Sequence, residues 1–130
     1  PQETPPTLAE PAAPLTVDLS ELRRIGADDP GFVRHMVGLF VRTTEPVLAR
    51  LPEHLRQHNW TALGADAHFL KSSVGGLGLH ALLPLLRELE GLGQPNAPAP
   101  APGQVATQLE QLRSLLEQVM AQLRQEYPAP

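Results

Sequence analysis

His68 and Lys71 stand three residues apart in the segment Ala67-His68-Phe69-Leu70-Lys71-Ser72-Ser73-Val74-Gly75-Gly76-Leu77-Gly78. On a helix that spacing places two side chains one turn apart on the same face. A neutral imidazole keeps a nitrogen lone pair that can attack phosphorus near pH 7. A lysine one turn on offers a compact positive charge to phosphoryl oxygens. The pair is therefore a candidate for phosphoryl transfer, with His68 as the nucleophile and Lys71 as its electrostatic partner.

For this chemistry the imidazole must face water, and the flanking residues predict that it does. At 3.6 residues per turn, Thr61, Gly64, Ala65, His68, Lys71, Ser72 and Gly75 share one face, and Trp60, Leu63, Ala67, Leu70, Val74 and Leu77 share the other. So continuous an apolar stripe belongs in a core, which turns His68 outward onto a face kept low by Gly, Ala and Ser. That low surface leaves room for another protein; Gly64, Ala65 and Phe69 are the expected docking residues, and Ser72 and Gly75 the expected neighbours of the phosphoryl group. Phe69 lies between the two faces and reads equally as core edge or interface.

The rest of the chain reads as helices, since no window shows strand alternation or β-branched enrichment. A short helix is predicted from Leu19 to Ile25, with Asp18 as N-cap, Glu21 at the capping-box position and Gly26 as the stop. A long one follows from Asp29-Pro30 to about residue 57, its apolar set including Val33, Val37, Phe40, Val47 and Leu51. Pro46 is expected to kink or divide it, with Pro52 a second weak point. Asn59 caps the histidine helix, which stops at Gly75-Gly76. Another helix is predicted from about Ala81 to Leu92 with Leu82, Leu86 and Leu89 inward, and a last one carries the stripe Val105, Leu109, Leu112, Leu116, Val119, Leu123. The expected fold is all-α, an antiparallel four-helix bundle with the short first helix as a lid.

Prolines mark the boundaries, because eleven of the fifteen fall in residues 1–14, 93–103 and 128–130. Residues 1–14 read as a Pro/Ala-rich linker, 15–127 as the helical domain with a mobile extended loop at 93–103, and 128–130 as a tail. At 130 residues and 42% hydrophobic content, the chain can bury a helical core without staples. It contains no cysteine, which removes disulfide and thiolate chemistry and suits a reducing compartment. A net charge of -4 argues against nucleic acid as partner. No apolar run approaches the ~20 residues of a membrane span, and no signal-peptide pattern opens the chain.

Around His68 the chain resembles the histidine-containing phosphotransfer (HPt) domain family, whose signature is approximately A-H-x-L-K-G-[SA]-[SA]-x-x-[LIV]-G. Ala67, His68, Leu70, Lys71, Ser73, Leu77 and Gly78 match it in register. His58-Asn59-Trp60 is similar to the opening of the family's histidine helix, and Leu86-Arg87-Glu88-Leu89-Glu90 to its following helix. The likeness covers residues 18 to 92, and 104 to 126 fit by periodicity only. Ser72 stands where the family usually has Gly, and as a small hydroxyl it can donate a hydrogen bond to phosphate. Glu90 stands where several members place a Gln facing the histidine, and a carboxylate there would hold the second imidazole nitrogen and fix the tautomer.

The resemblance implies a phosphorelay carrier. His68 would take a phosphoryl group from the aspartyl phosphate of one receiver domain and pass it to the aspartate of another. The domain would have no ATP site and no cofactor of its own, and Mg2+ would come from the receiver. The linker favours a cytoplasmic module of a hybrid sensor histidine kinase, with kinase domains in the same parent chain, itself free to be membrane-anchored. Two other readings stand beside it: a chemotaxis-kinase type of domain phosphorylated from ATP by a kinase domain, and a non-catalytic helical docking module for receivers.

Elsewhere, His54 and His58 have the i, i+4 spacing that can hold Zn2+, but no third ligand is placed, so no metal site is expected and a solvated helix face is the better reading. His35 and His80 are expected only to pack or cap. Gly75-Gly76-Leu77-Gly78 ends a helix rather than opening one, which makes it a helix stop and not a phosphate cradle.

Overall fold

The computed structural model describes residues 20–26 and 29–128. Among the described residues five helices follow one another: α1 (Ser20–Ile25), α2 (Pro30–Arg56), α3 (Trp60–Gly76), α4 (Leu83–Gly91) and α5 (Gln104–Glu126), with a 3₁₀ turn at His80–Leu82 leading into α4. The linker expected over 1–14, the start at Leu19 and the capping role of Asp18 lie outside the described residues, as does the side chain of Glu21.

The helix ends follow local chemistry. Asp29 accepts a hydrogen bond from the Phe32 N–H at 3.1 Å, and Pro30 sits in the first turn of α2, where its missing N–H costs nothing. Asn59 does the same for α3, accepting from the Ala62 N–H at 3.1 Å. At the other end of α3, Gly78 takes φ 77, the left-handed conformation that lets the chain turn back, and the Leu79 N–H donates to the Val74 carbonyl at 2.8 Å. The glycine run is a helix stop, as its composition predicts.

Pro46 does not divide α2. The helix runs unbroken through Pro46 and Pro52. Both rings lie on the exposed side, while Val33, Val37, Phe40, Thr44, Val47 and Leu51 are buried along the other. Burial of that stripe outweighs the one helical hydrogen bond each proline removes.

α3 packs against both α2 and α4, and α5 packs against both α2 and α4, so the four longer helices close a ring around one core. Neighbours run antiparallel: Glu45 near the middle of α2 pairs with Arg124 near the end of α5, and Glu88 of α4 meets Gln108 early in α5. The core is aliphatic, with Leu63, Leu70, Leu86, Leu89, Leu112, Leu116 and Leu123 fully buried, and each contributes about 1.5–3 kcal/mol through removal from water. α1 lies across the bundle end formed by the start of α2 and the end of α5: Leu22 is buried and Arg23 pairs with Glu126 at 3.0 Å.

α4 is shorter than its periodicity suggests, because Pro84 cannot donate within a longer helix and a 3₁₀ turn takes up residues 80–82. The 93–103 segment is not extended throughout. It opens with turns in which Gly93, Gln94 and Ala97 donate to Glu90, Gly91 and Gln94, and it closes where the Gln104 side chain accepts from the Ala101 N–H.

Candidate functional site

His68 stands in the middle of α3 with 63% of its side chain exposed. Leu63, Ala67, Leu70 and Val74 anchor the opposite face of the helix in the core. The ring is therefore held at a fixed height while its outer edge meets solvent. Across the α3–α4 contact, Glu90 reaches both His68 and Lys71: its Oε2 lies 2.6 Å from His68 Nδ1 and its Oε1 2.6 Å from Lys71 Nζ.

Lys71 foremost, and His68 after it, hold the Glu90 carboxyl below its ordinary value of 4.5. An ionised carboxylate only accepts hydrogen bonds, so Nδ1 carries the proton of this contact, and in the neutral ring the lone pair is then on Nε2, the atom farther from Glu90. The lysine and carboxylate neutralise each other beside the imidazole, and Nε2 points away from the negative group.

A depressed carboxyl pKa makes a stability contribution that is complete above the ordinary value and lost as pH falls through the depressed one. Glu90→Gln has no such titration. The difference in Tm between wild type and Glu90→Gln is expected to shrink when thermal melts are moved from about pH 6 to about pH 3.

The residues expected to dock a partner or to neighbour the phosphoryl group separate. Ala65 and Ser72 are exposed and Gly75 is half-buried beside them. Phe69, ambiguous from spacing, is 41% exposed and belongs to the surface. Gly64 is not part of that surface: it is buried, and a Cβ placed there would meet the Glu90 carbonyl at 3.0 Å and Gly93 Cα at 3.1 Å. It serves the α3–α4 contact, for a helical face predicted from one sequence carries no mark of the neighbour that covers it.

A second polar cluster joins α3 to α2 and was not legible as a unit in the sequence. Asp66 is 9% exposed; Arg50 Nη2 donates to its Oδ1 at 2.8 Å, and His54 Nε2 lies 3.0 Å from its Oδ2. His54 is therefore not on a solvated face, and it does not pair with His58, which takes φ 53 and stacks on Trp60 at 5.2 Å. The signal that could have found the cluster is Arg50 and His54 one turn apart on α2, opposite the one acidic residue of α3. Asp66→Ala is expected to cost about 1–2 kcal/mol in urea unfolding, discounted because Arg50 is half exposed. His35 and His80 are both exposed.

The Arg50–Asp66 pair also fixes how α2 lies beside α3. At about 100° per residue Leu39, Thr43, Pro46 and Arg50 form one stripe along α2. That stripe borders the side of α3 that carries Asp66 and Phe69. Leu39 is 41% exposed and Phe32, two turns nearer the start of α2, 39%.

The family model described as Hpt domain matches residues 35–126, which takes in most of α2 and all of α3, α4 and α5. The chain belongs to the Hpt domain family. α5, which resembles the family by periodicity alone, falls within the match. Among curated proteins this Hpt domain is similar to the phosphorelay intermediate protein YPD1 of Candida albicans, at 33% identity over 60 residues. The shared stretch is 46% of this chain and spans only about a third of that relative, 33% of its length. No solved structure matches the chain.

Proposed function

We propose that this Hpt domain is a phosphorelay carrier whose phosphoryl group travels on His68 Nε2. The observation that carries the reading is the exposed imidazole with Nδ1 engaged by Glu90 at 2.6 Å. In the forward step Nε2 attacks the phosphorus of a receiver aspartyl phosphate, the N–P bond forms as the P–O bond to the aspartate breaks, and the aspartate leaves as a carboxylate. The Nδ1 proton remains in place throughout, so the phosphorylated ring is cationic and Glu90 balances its charge. The return step is the same displacement reversed, onto the aspartate of a second receiver.

Lys71 has a second use in this scheme. One turn from His68, it can turn from Glu90 to an arriving phosphoryl oxygen, exchanging one anionic partner for another. Ser72, exposed on the same face, offers a hydroxyl. Mg2+ and its acidic ligands belong to the receiver, whose docking we assign to Ala65, Phe69 and Ser72 of α3 and the Leu39 stripe of α2. The Pro/Ala-rich composition of residues 1–14 suits a spacer, and on that ground we place the domain beside histidine kinase domains in a cytoplasmic part of a hybrid kinase.

The test is incubation with a phosphorylated receiver and Mg2+. Acid-labile, base-stable label on the wild-type domain supports the carrier role, and binding without label to several receivers would instead favour a docking module.

A further inference from the structure

Gly64 of α3 and Gly93, just past the end of α4, make a backbone-to-backbone contact. Gly93 follows α4 in a turn closed by its own N–H donating to the Glu90 carbonyl at 3.1 Å. That turn rests on α3 between Trp60 and Gly64. A Cβ on Gly93 would meet the Trp60 carbonyl at 3.1 Å and Gly64 Cα at 3.4 Å. A Cβ on Gly64 would meet the Glu90 carbonyl at 3.0 Å and Gly93 N at 3.1 Å. The opposing atoms are all backbone, which cannot rotate away as a side-chain tip can.

Glu90 belongs to both contacts at once. Its carbonyl lies where a Gly64 side chain would have to go, and its carboxylate reaches His68, one turn further along α3. Its other oxygen holds Lys71. We infer that Gly64 and Gly93 are positioning residues: their missing side chains set the α3–α4 separation at which the Glu90 carboxylate can reach His68 Nδ1 and so determine which ring nitrogen is free. The inference rests on the carrier reading only for its consequence in phosphoryl transfer. The effect on the imidazole tautomer stands without it.

Two readouts test it in the whole chain. The first is the pair of His68 ring 15N shifts, which report the tautomer. The second is the labelling rate with phosphoramidate, a small phosphodonor that needs no docking. Gly64→Ala is expected to lower the population with the proton on Nδ1 and to slow labelling roughly five- to tenfold, the scale of one lost charged hydrogen bond. Gly76→Ala, in the same helix with nothing within 4 Å of its added carbon, should change neither.

In a Glu90→Ala background, Gly64→Ala should have no further effect, because the contact acts through that carboxylate. Gly93→Ala is read in the same way should Gly64→Ala not fold. A folded Gly64→Ala with wild-type tautomer and rate overturns the inference, as does an undiminished effect in the Glu90→Ala background. Failure of both glycine variants to fold also overturns it, since the contact would then serve the fold at large. If wild type takes no label, the carrier reading fails, while the 15N shifts still decide the spacing.

Discussion

His68→Gln is expected to take no label from a phosphorylated receiver or from phosphoramidate, under conditions where the wild-type domain is readily labelled. The reasoning is chemical first. An amide nitrogen has no lone pair available for attack on phosphorus, so the loss is of the acceptor atom and not of a supporting interaction. It is structural second. With 63% of its side chain exposed, His68 contributes little packing, and Gln retains a donor that can reach Glu90. Circular dichroism and Tm should therefore remain close to wild type, which separates loss of chemistry from loss of fold. Label retained on the variant would place the phosphoryl group elsewhere, and the other exposed histidines, His35, His58 and His80, would be the residues to examine.

Phe69→Asp is expected to slow transfer from a phosphorylated receiver by roughly 30- to 100-fold at low receiver concentration, the scale on which a central aromatic contributes to an interface. Phosphoramidate labelling should change by less than about twofold, since a small donor makes no use of the docking surface. Phe69 is 41% exposed and one position from His68, so in the proposed scheme it can meet a partner at the point of transfer. An aspartate there removes apolar contact and sets a negative charge against the acidic Mg2+-binding surface of a receiver. Its exposure also limits any effect on folding. Equal loss with both donors would mean that the substitution damages His68 itself, and an unchanged receiver reaction would move docking off this side of α3.

Periodicity predicts where His68 faces, whereas it leaves Phe69 between the two faces and only the structure puts it on the surface. His68 and Lys71 share a face because three residues make nearly one helical turn, and that holds wherever the helix is put. The apolar stripe of α3, the caps at Asp29 and Asn59, and the stop at Gly78 are likewise local matters, settled by side chains within a few residues. α2 shows the limit of such reasoning. Pro46 argues for a break, yet the helix continues because the gain from burying Val37, Phe40 and Val47 is a property of the assembled core.

What lies between helices was not available in the same way. Gly64 sits on the histidine face by angle, but α4 covers it. Asp66 looks like any polar residue of α3 until α2 brings Arg50 and His54 to it. Glu90 was associated with His68 by family resemblance, and nothing in its own spacing says that its two oxygens would divide between the imidazole and Lys71 at 2.6 Å each. The linear pattern settles which way a residue faces on its own helix, because that angle depends only on the helical repeat. Which group it meets there depends on the distance and register between helices, and those follow from packing the whole core at once.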